Sequence, residues 1–145
     1  MGRTADDHAK DGDIKIIFTP SGRQGWVPLG TPVLTAARQL GVDIDSVCGG
    51  RAMCGRCQVT VGVGDFAKHG IRSSEQSIDR ITAVESRYAE KRGLTAGRRL
   101  SCQARLNGDA VIDVPPESQV HKQLVRKAAD GRHISMDPIV RLCFV

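Results

Sequence analysis

Cys48-Gly49-Gly50-Arg51-Ala52-Met53-Cys54-Gly55-Arg56-Cys57 places three thiols and three glycines in ten consecutive residues. A run so rich in cysteine and glycine makes a poor helix and a poor strand, which leaves a loop wrapped around something. Its natural partner is Cys102, in Arg99-Leu100-Ser101-Cys102-Gln103, completing the pattern C-x5-C-x2-C, a long gap, then C. Two irons bridged by sulfides need four thiolate ligands, and the sulfides need backbone N–H donors packed close around them. Side chains would obstruct that approach, whereas Gly49, Gly50 and Gly55 permit it. The stretch reads as a cage for a [2Fe–2S] cluster. Cys48, Cys54, Cys57 and Cys102 are its expected ligands, with loop amides from Gly49 to Arg56 donating to sulfur. Arg51 and Arg56 add positive charge, which favours an extra electron on such a cluster and raises its potential.

The rest of the composition is compatible with a small domain organised by that site. The chain has 145 residues, of which 40% are hydrophobic and only 3% aromatic, so its core is aliphatic and modest. Metal binding supplements the folding energy of such a core. No window reaches the length of a membrane-spanning helix, and Met1 to Asp13 lacks the apolar region of an export signal. Asp6 stands where a myristoylation motif needs Ser or Thr. Five cysteines, an odd number, without an export signal point to a reducing cytoplasm and to metal ligation rather than disulfides. No membrane association is expected. The net charge of +5 raises the question of nucleic acid. Arg87, Lys91, Arg92, Arg98, Arg99 and Arg105 cluster with only Glu90 opposing them, yet no aromatic residue but Tyr88 is interleaved to stack on bases. Nucleic-acid binding is therefore not expected. The run reads as a solvated face, with a docking face for an acidic protein as the functional alternative.

In chain order, residues 1–13 form a polar tail expected to be disordered. Ile14 to Phe18, the Pro20-Ser21-Gly22 turn, and Arg23 to Leu29 predict a β-hairpin. Thr31 as N-cap and Pro32 at the first helical position predict a helix that buries Val33, Ala37 and Leu40 and closes at Gly41. After the cysteine loop, Val59, Val61 and Val63 alternate with Gln58, Thr60 and Gly62, the pattern of a half-buried strand. Gly64 to Gly70 reads as a loop. Ser73 with Gln76 resembles a capping box, and Ile78, Ile81, Thr82, Glu85 and Tyr88 predict a second helix reaching Lys91. Arg98 to Leu106 predicts the strand carrying Cys102, and Asn107-Gly108-Asp109 predicts a hairpin into Val111 to Val114. Pro115-Pro116 ends the sheet. Residues 117–145 read as a linker, with a short basic helix over 119–129. The apolar strand pattern Ile139 to Val145 is expected to open a further domain. The fold class that follows is α+β: a mixed sheet with one packed helix, a second helix after the cluster loop, and a C-terminal extension. The domain proper spans 14–116.

Other chemistries for the thiols have weaker footing. Cys54-Gly55-Arg56-Cys57 as a thioredoxin-like dithiol needs a helix after its first cysteine, and an alternating strand follows instead. Four-cysteine zinc sites are usually built from two paired knuckles, whereas this chain has one pair, a near neighbour and a lone strand cysteine. A zinc-stabilised interaction domain remains the rival from a different functional class. A site with two histidine ligands has no support, because His8, His69, His121 and His133 are scattered. Gly62-Val63-Gly64-Asp65-Phe66-Ala67 approaches a dinucleotide fingerprint, but no adequate helix follows it. Cys143 sits in an apolar strand pattern and reads as a buried structural cysteine.

Taken together, Pro20-Ser21-Gly22-Arg23, Gly30-Thr31-Pro32-Val33-Leu34, Asp45-Ser46-Val47-Cys48-Gly49-Gly50-Arg51, Cys54-Gly55-Arg56-Cys57 and Arg99-Leu100-Ser101-Cys102-Gln103-Ala104 resemble ferredoxin-type [2Fe–2S] β-grasp domains. The first spacing is one residue longer than the C-x4-C of plant-type ferredoxins. It resembles the adrenodoxin-like branch and, more closely, the N-terminal domain of reductive activators of corrinoid proteins. The long segment between Cys57 and Cys102, Val114-Pro115-Pro116-Glu117-Ser118, and Asp137-Pro138-Ile139-Val140-Arg141 also resemble that second family. The resemblance implies one-electron transfer without acid–base catalysis. The acceptor would be a Co(II) corrinoid returned to Co(I), and the other partner a reductase donor. As an electron-carrier module, the chain would not be an enzyme on its own. The alternative is a stand-alone ferredoxin for an oxygenase or a biosynthetic pathway.

Overall fold

The computed structural model describes residues 12–120. A hairpin opens the chain, β1 (Asp13–Thr19) against β2 (Arg23–Pro28), with Ile14 opposite Val27 and Phe18 opposite Arg23. A short helix α1 (Val33–Gln39) follows, then the cysteine loop and β3 (Gln58–Gly62). Two three-residue strands, β4 (Gly64–Phe66) and β5 (Ile71–Ser73), lead to helix α2 (Ala83–Arg92). The short strand β6 (Arg98–Leu100) and β7 (Ala110–Asp113) complete the set. The main sheet has five strands in the order β2-β1-β7-β3-β6. β1 and β7 run parallel, while β3 is antiparallel to both β7 and β6. This is the mixed sheet of a β-grasp fold.

Strand alternation sets the two faces of β1. Ile14, Ile16 and Phe18 join Val33, Leu34, Ala36 and Ala37 of α1 in the main core. Ile17 faces the other way, against Ile71, Val111 and Phe66. That second patch explains the β4–β5 hairpin, where the sequence alone predicted a loop. Its strands are too short to show a period, but they cover apolar surface that β1 and β7 would otherwise expose. Ser73 Oγ secures the cover by accepting the Val111 amide at 3.0 Å.

Helix ends are displaced from expectation by a residue or more. Pro32 is the N-cap of α1 without a side-chain cap, and Thr31 Oγ1 donates instead to the Pro28 carbonyl at 2.6 Å. Ser74 with Ser77, rather than Ser73 with Gln76, forms a capping box, on the 3-10 turn Glu75–Ser77. α2 begins only after Thr82, whose own capping box with Glu85 fixes its start.

Two further expectations are corrected. The predicted β6–β7 hairpin does not form, and Cys102 lies beyond β6 rather than on it. After Leu100 the chain turns, with the Gln103 and Ala104 amides both donating to the Leu100 carbonyl at 2.9 Å. It then pairs with the approach to α1: the Val33 amide reaches the Ala104 carbonyl at 3.0 Å, and the Leu106 amide reaches the Thr31 carbonyl at 3.0 Å. Backbone groups committed to that contact cannot also ladder with β7. β7 therefore inserts between β1 and β3, and Asn107-Gly108-Asp109 joins strands that are not neighbours. The tail residues 1–11, the helix predicted beyond Val120, the strand 139–145 and Cys143 lie outside the described residues. No helix among the described residues is long and apolar enough to cross a membrane.

Candidate metal centre

The loop from Cys48 to Cys57 is tied at several points. At its neck, Arg56 Nη1 pairs with Asp45 Oδ2 at 3.1 Å. Within it, Arg51 Nε donates to the Cys48 carbonyl at 2.9 Å, and Gln58 Nε2 to the Gly55 carbonyl at 3.0 Å. The Cys102 turn is fastened to both neighbours: the Ser101 amide donates to the Cys57 carbonyl at 2.9 Å, and the Leu34 amide at the start of α1 to the Ser101 carbonyl at 2.9 Å. Gln103 Nε2 bridges the two segments, reaching the Gly50 carbonyl at 3.2 Å and Cys102 Sγ at 3.7 Å.

Backbone conformation explains two of the glycines. Gly50 sits at φ +88° with its α-carbon turned toward Cys102, so that an added Cβ would stand 3.8 Å from the Cys102 Cβ. Gly55, at φ +63°, is closed over by Tyr88 of α2, whose hydroxyl would lie 1.7 Å from an added Cβ. Ala52 adopts φ +55° although it has a Cβ, and its side chain is buried. Such a conformation persists only where its surroundings hold it.

All four predicted cysteines are free thiols, Cys54 neighbouring Cys48 and Cys57 neighbouring Cys102, and the charge of Cys48 is felt at Cys102. Among the described residues, no three His, Cys, Asp or Glu side chains gather around a single ion position. Desolvation works against ionising Cys48, but the amides of Met53, Cys54 and Arg51 and the Cys54 thiol outweigh it and lower Cys48 to about 6. Cys102 is lowered to about 7, chiefly by the Cys57 thiol, with help from Gln103 and the Ala52 amide, against desolvation and the nearby charge of Cys48. Cys57 is pushed up, because it holds the proton shared with Cys102 and because it is buried. Thiolate character is favoured at Cys48 and Cys102.

The donors fit a sulfur-rich guest. In the loop the amides directed at thiols are those of residues 51–54, with the Cys102 amide directed at Cys57, while Gly49's points back to the Ser46 carbonyl at 3.4 Å. Ser46 Oγ is buried without a hydrogen-bond partner, and the buried Ser101 hydroxyl bonds to the Cys57 thiol, whose pKa it draws downward. A hydroxyl so placed can donate to the Cys57 sulfur when it is a thiolate ligand. Of the two arginines expected to raise the potential, Arg56 has its charge partnered by Asp45.

Sequence reasoning missed the support behind Cys102. Arg99 was expected on a solvated face, but its side chain is 13% exposed and pairs with fully buried Glu85 at 2.8 Å and with Asp79 at 3.2 Å. Glu85 also accepts from the Thr82 amide at 3.0 Å and the Leu100 amide at 3.0 Å. One carboxylate thereby caps α2, neutralises Arg99 and orients the strand end two residues before Cys102. Burial opposes ionisation of Glu85, yet Arg99 and the Thr82 and Leu100 amides hold its carboxyl below the usual range. The only sequence signal was Thr82 with Glu85 at capping-box spacing.

Comparison with known proteins agrees with this geometry. The family described as "2Fe-2S iron-sulfur cluster binding domain" matches residues 18–107. A curated relative, a component of the Na(+)-translocating NADH-quinone reductase of Idiomarina loihiensis, is 35% identical over 109 residues, covering 74% of this chain and 21% of its own. The chain thus spans about a fifth of the length of such relatives. Among solved structures, the ISC-like [2Fe-2S] ferredoxin (FdxB) of Pseudomonas putida superposes with a TM-score of 0.56 at 27% identity, over 74% of this chain and 97% of that one. A ferredoxin from Rhodopseudomonas palustris gives 0.50 at 26% identity, over 74% and 99%. The chain belongs to the family of 2Fe-2S iron–sulfur cluster binding domains, electron-transfer domains whose cofactor is a [2Fe–2S] cluster.

Proposed function

We propose that Cys48, Cys54, Cys57 and Cys102 hold the cluster as thiolates, and that the chain works as a single-electron relay within a larger redox protein. When bound, the cluster accepts and releases one electron. The observation that carries the reading is four neighbouring free thiols, with the amides of residues 51–54 directed at Cys48 and Cys102. The chain's own part is to hold four ligands in fixed positions, to exclude water through Tyr88 packed on Gly55, and to set the potential through its N–H donors. The relay needs no acid–base residue and acts in the cytoplasm.

The acceptor we favour is a Co(II) corrinoid, reduced to Co(I) with the help of further domains and fed by a reductase. Support comes from the long Cys57–Cys102 interval and from Val114-Pro115-Pro116-Glu117-Ser118 directly after β7. A second reading, a relay from NADH toward a quinone, is favoured by the 35% identity to the NADH-quinone reductase component. Anaerobic redox titration of the loaded protein, followed by its visible spectrum, separates them. Co(I) is a strong reductant, so the first reading expects a midpoint near or below the roughly −400 mV of plant-type clusters. A midpoint higher by about 200 mV or more, toward the upper part of the iron–sulfur range, would favour the quinone reading. A stand-alone ferredoxin would pass electrons to an oxygenase without any further domain.

A further inference from the structure

A cleft of about 320 Å³ lies between the cysteine loop and α2, its walls including Met53, Val84, Arg87, Tyr88, Lys91 and Arg92. Its centre is apolar and open: Met53 is 56% exposed and Val84 43%. Its rim is cationic, with Arg87, Lys91 and Arg92 all exposed. Arg92 is also positioned, since its Nη1 donates to the Met53 carbonyl at 2.9 Å and holds α2 against the loop.

The rim gathers three cations within six residues of one helix. Arg56, Arg72, Arg98 and Arg99 each pair with a carboxylate. Among the described residues, no carboxylate pairs with Arg87, Lys91 or Arg92. Glu90 is the one acidic residue on α2 near them, set against three cations. An apolar centre with a charged, hydrated rim is the anatomy of a transient protein interface. The cleft also lies at the cluster loop itself: the Met53 amide is directed at the Cys48 thiol, so its exposed side chain is within one residue's reach of a ligand. A protein seated there would have a short path for an electron.

We propose that this face docks an acidic redox protein and is the port through which electrons are exchanged. The proposal rests on the electron-relay reading above. A nucleic acid is the less suitable occupant, because the cleft has Tyr88 as its only aromatic residue and that ring is packed on Gly55.

The test uses the loaded protein and two protein probes, a strongly acidic flavodoxin in its hydroquinone form as donor and a basic cytochrome c as acceptor. Electron transfer is followed by stopped-flow absorbance across a range of salt. Complementary rim charge steers encounter and makes the rate fall with ionic strength. The flavodoxin rate should drop about tenfold or more from low to high salt. Arg87→Glu/Lys91→Glu should lose a similar factor at low salt and transfer to cytochrome c faster than the wild type does. An unchanged EPR signal shows that the variant is folded and loaded. Equal flavodoxin rates for wild type and variant, or a rate independent of salt, would overturn the docking proposal. So would single-stranded DNA that binds the wild type tightly, spares the variant and blocks flavodoxin, which would make the face a nucleic-acid surface. If dithionite itself puts no electron on the loaded protein, the relay reading fails instead.

Discussion

Glu85→Gln keeps the size of the side chain and removes the charge that three elements share. In the native domain the Glu85 carboxylate accepts from Arg99 Nε at 2.9 Å and Nη2 at 2.8 Å, and from the amides of Leu100 and Thr82 at 3.0 Å each. The variant leaves Arg99 mostly buried with Asp79 as its remaining carboxylate partner. Breaking a buried pair on one side costs about 3–5 kcal/mol. Because Asp79 stays and glutamine retains one acceptor oxygen, the lower end, about 3 kcal/mol, applies. For a domain of this size each kcal/mol moves Tm by roughly 4 °C or more, so the apo protein should melt about 12 °C lower by circular dichroism. The pH dependence has a definite sign. Glu85 is lowered from its ordinary 4.5, so its stabilisation is complete well above that value and is lost as pH falls through the lower folded value. The gap between wild type and variant should therefore close in acid. Removing Arg99 as well, in Glu85→Gln/Arg99→Met, should recover part of the loss, since the stranded cation is gone. A Tm within about 2 °C of wild type at neutral pH, a shift worth under 1 kcal/mol, would refute the idea that this carboxylate binds α2 to the Cys102 strand.

Gly55→Ala should disrupt the loop more than any other single methyl addition there, because the Cβ would meet Tyr88 Oη at 1.7 Å and the backbone is at φ +63°. Iron content after reconstitution should fall, and Gly55→Ala/Tyr88→Ala should restore part of it. Gly50→Val places a β-branched side chain at φ +88°. Strain of roughly 1–3 kcal/mol follows, and holo stability should fall further than apo stability. The reduction potential should drop as the neighbouring N–H donors are displaced. Cys102→Ser should lose iron, since a serine hydroxyl matches iron less well than a thiolate. Cys143→Ser should retain it, because four thiols already neighbour one another without Cys143.

What could be read from the sequence follows the range of the interactions involved. The cluster loop was legible because ligand chemistry dictates residue type and spacing within ten residues. α1 was legible through Val33, Leu34, Ala36 and Ala37, a buried set with helical period. β1 and β3 were legible because they carry continuous apolar or alternating runs. The β6–β7 hairpin was misread because Asn107-Gly108 is a local signal, and the pairing of residues 104–106 with the approach to α1 is not. Arg99 looked like part of a basic surface because its partners, Glu85 and Asp79, lie 14 and 20 residues away on other segments. β4 and β5, three residues each, carry too little pattern to be separated from a loop.

The claim on which the account depends is that these four thiols hold two irons and two sulfides. EPR spin quantitation of anaerobically purified protein, before and after dithionite, tests it most directly when combined with iron and labile-sulfide analysis on the same sample. The account predicts about two irons and two sulfides per chain, no signal when oxidised, and close to one spin-half per chain on reduction. Stoichiometric zinc with no labile sulfide and no reducible signal would contradict it.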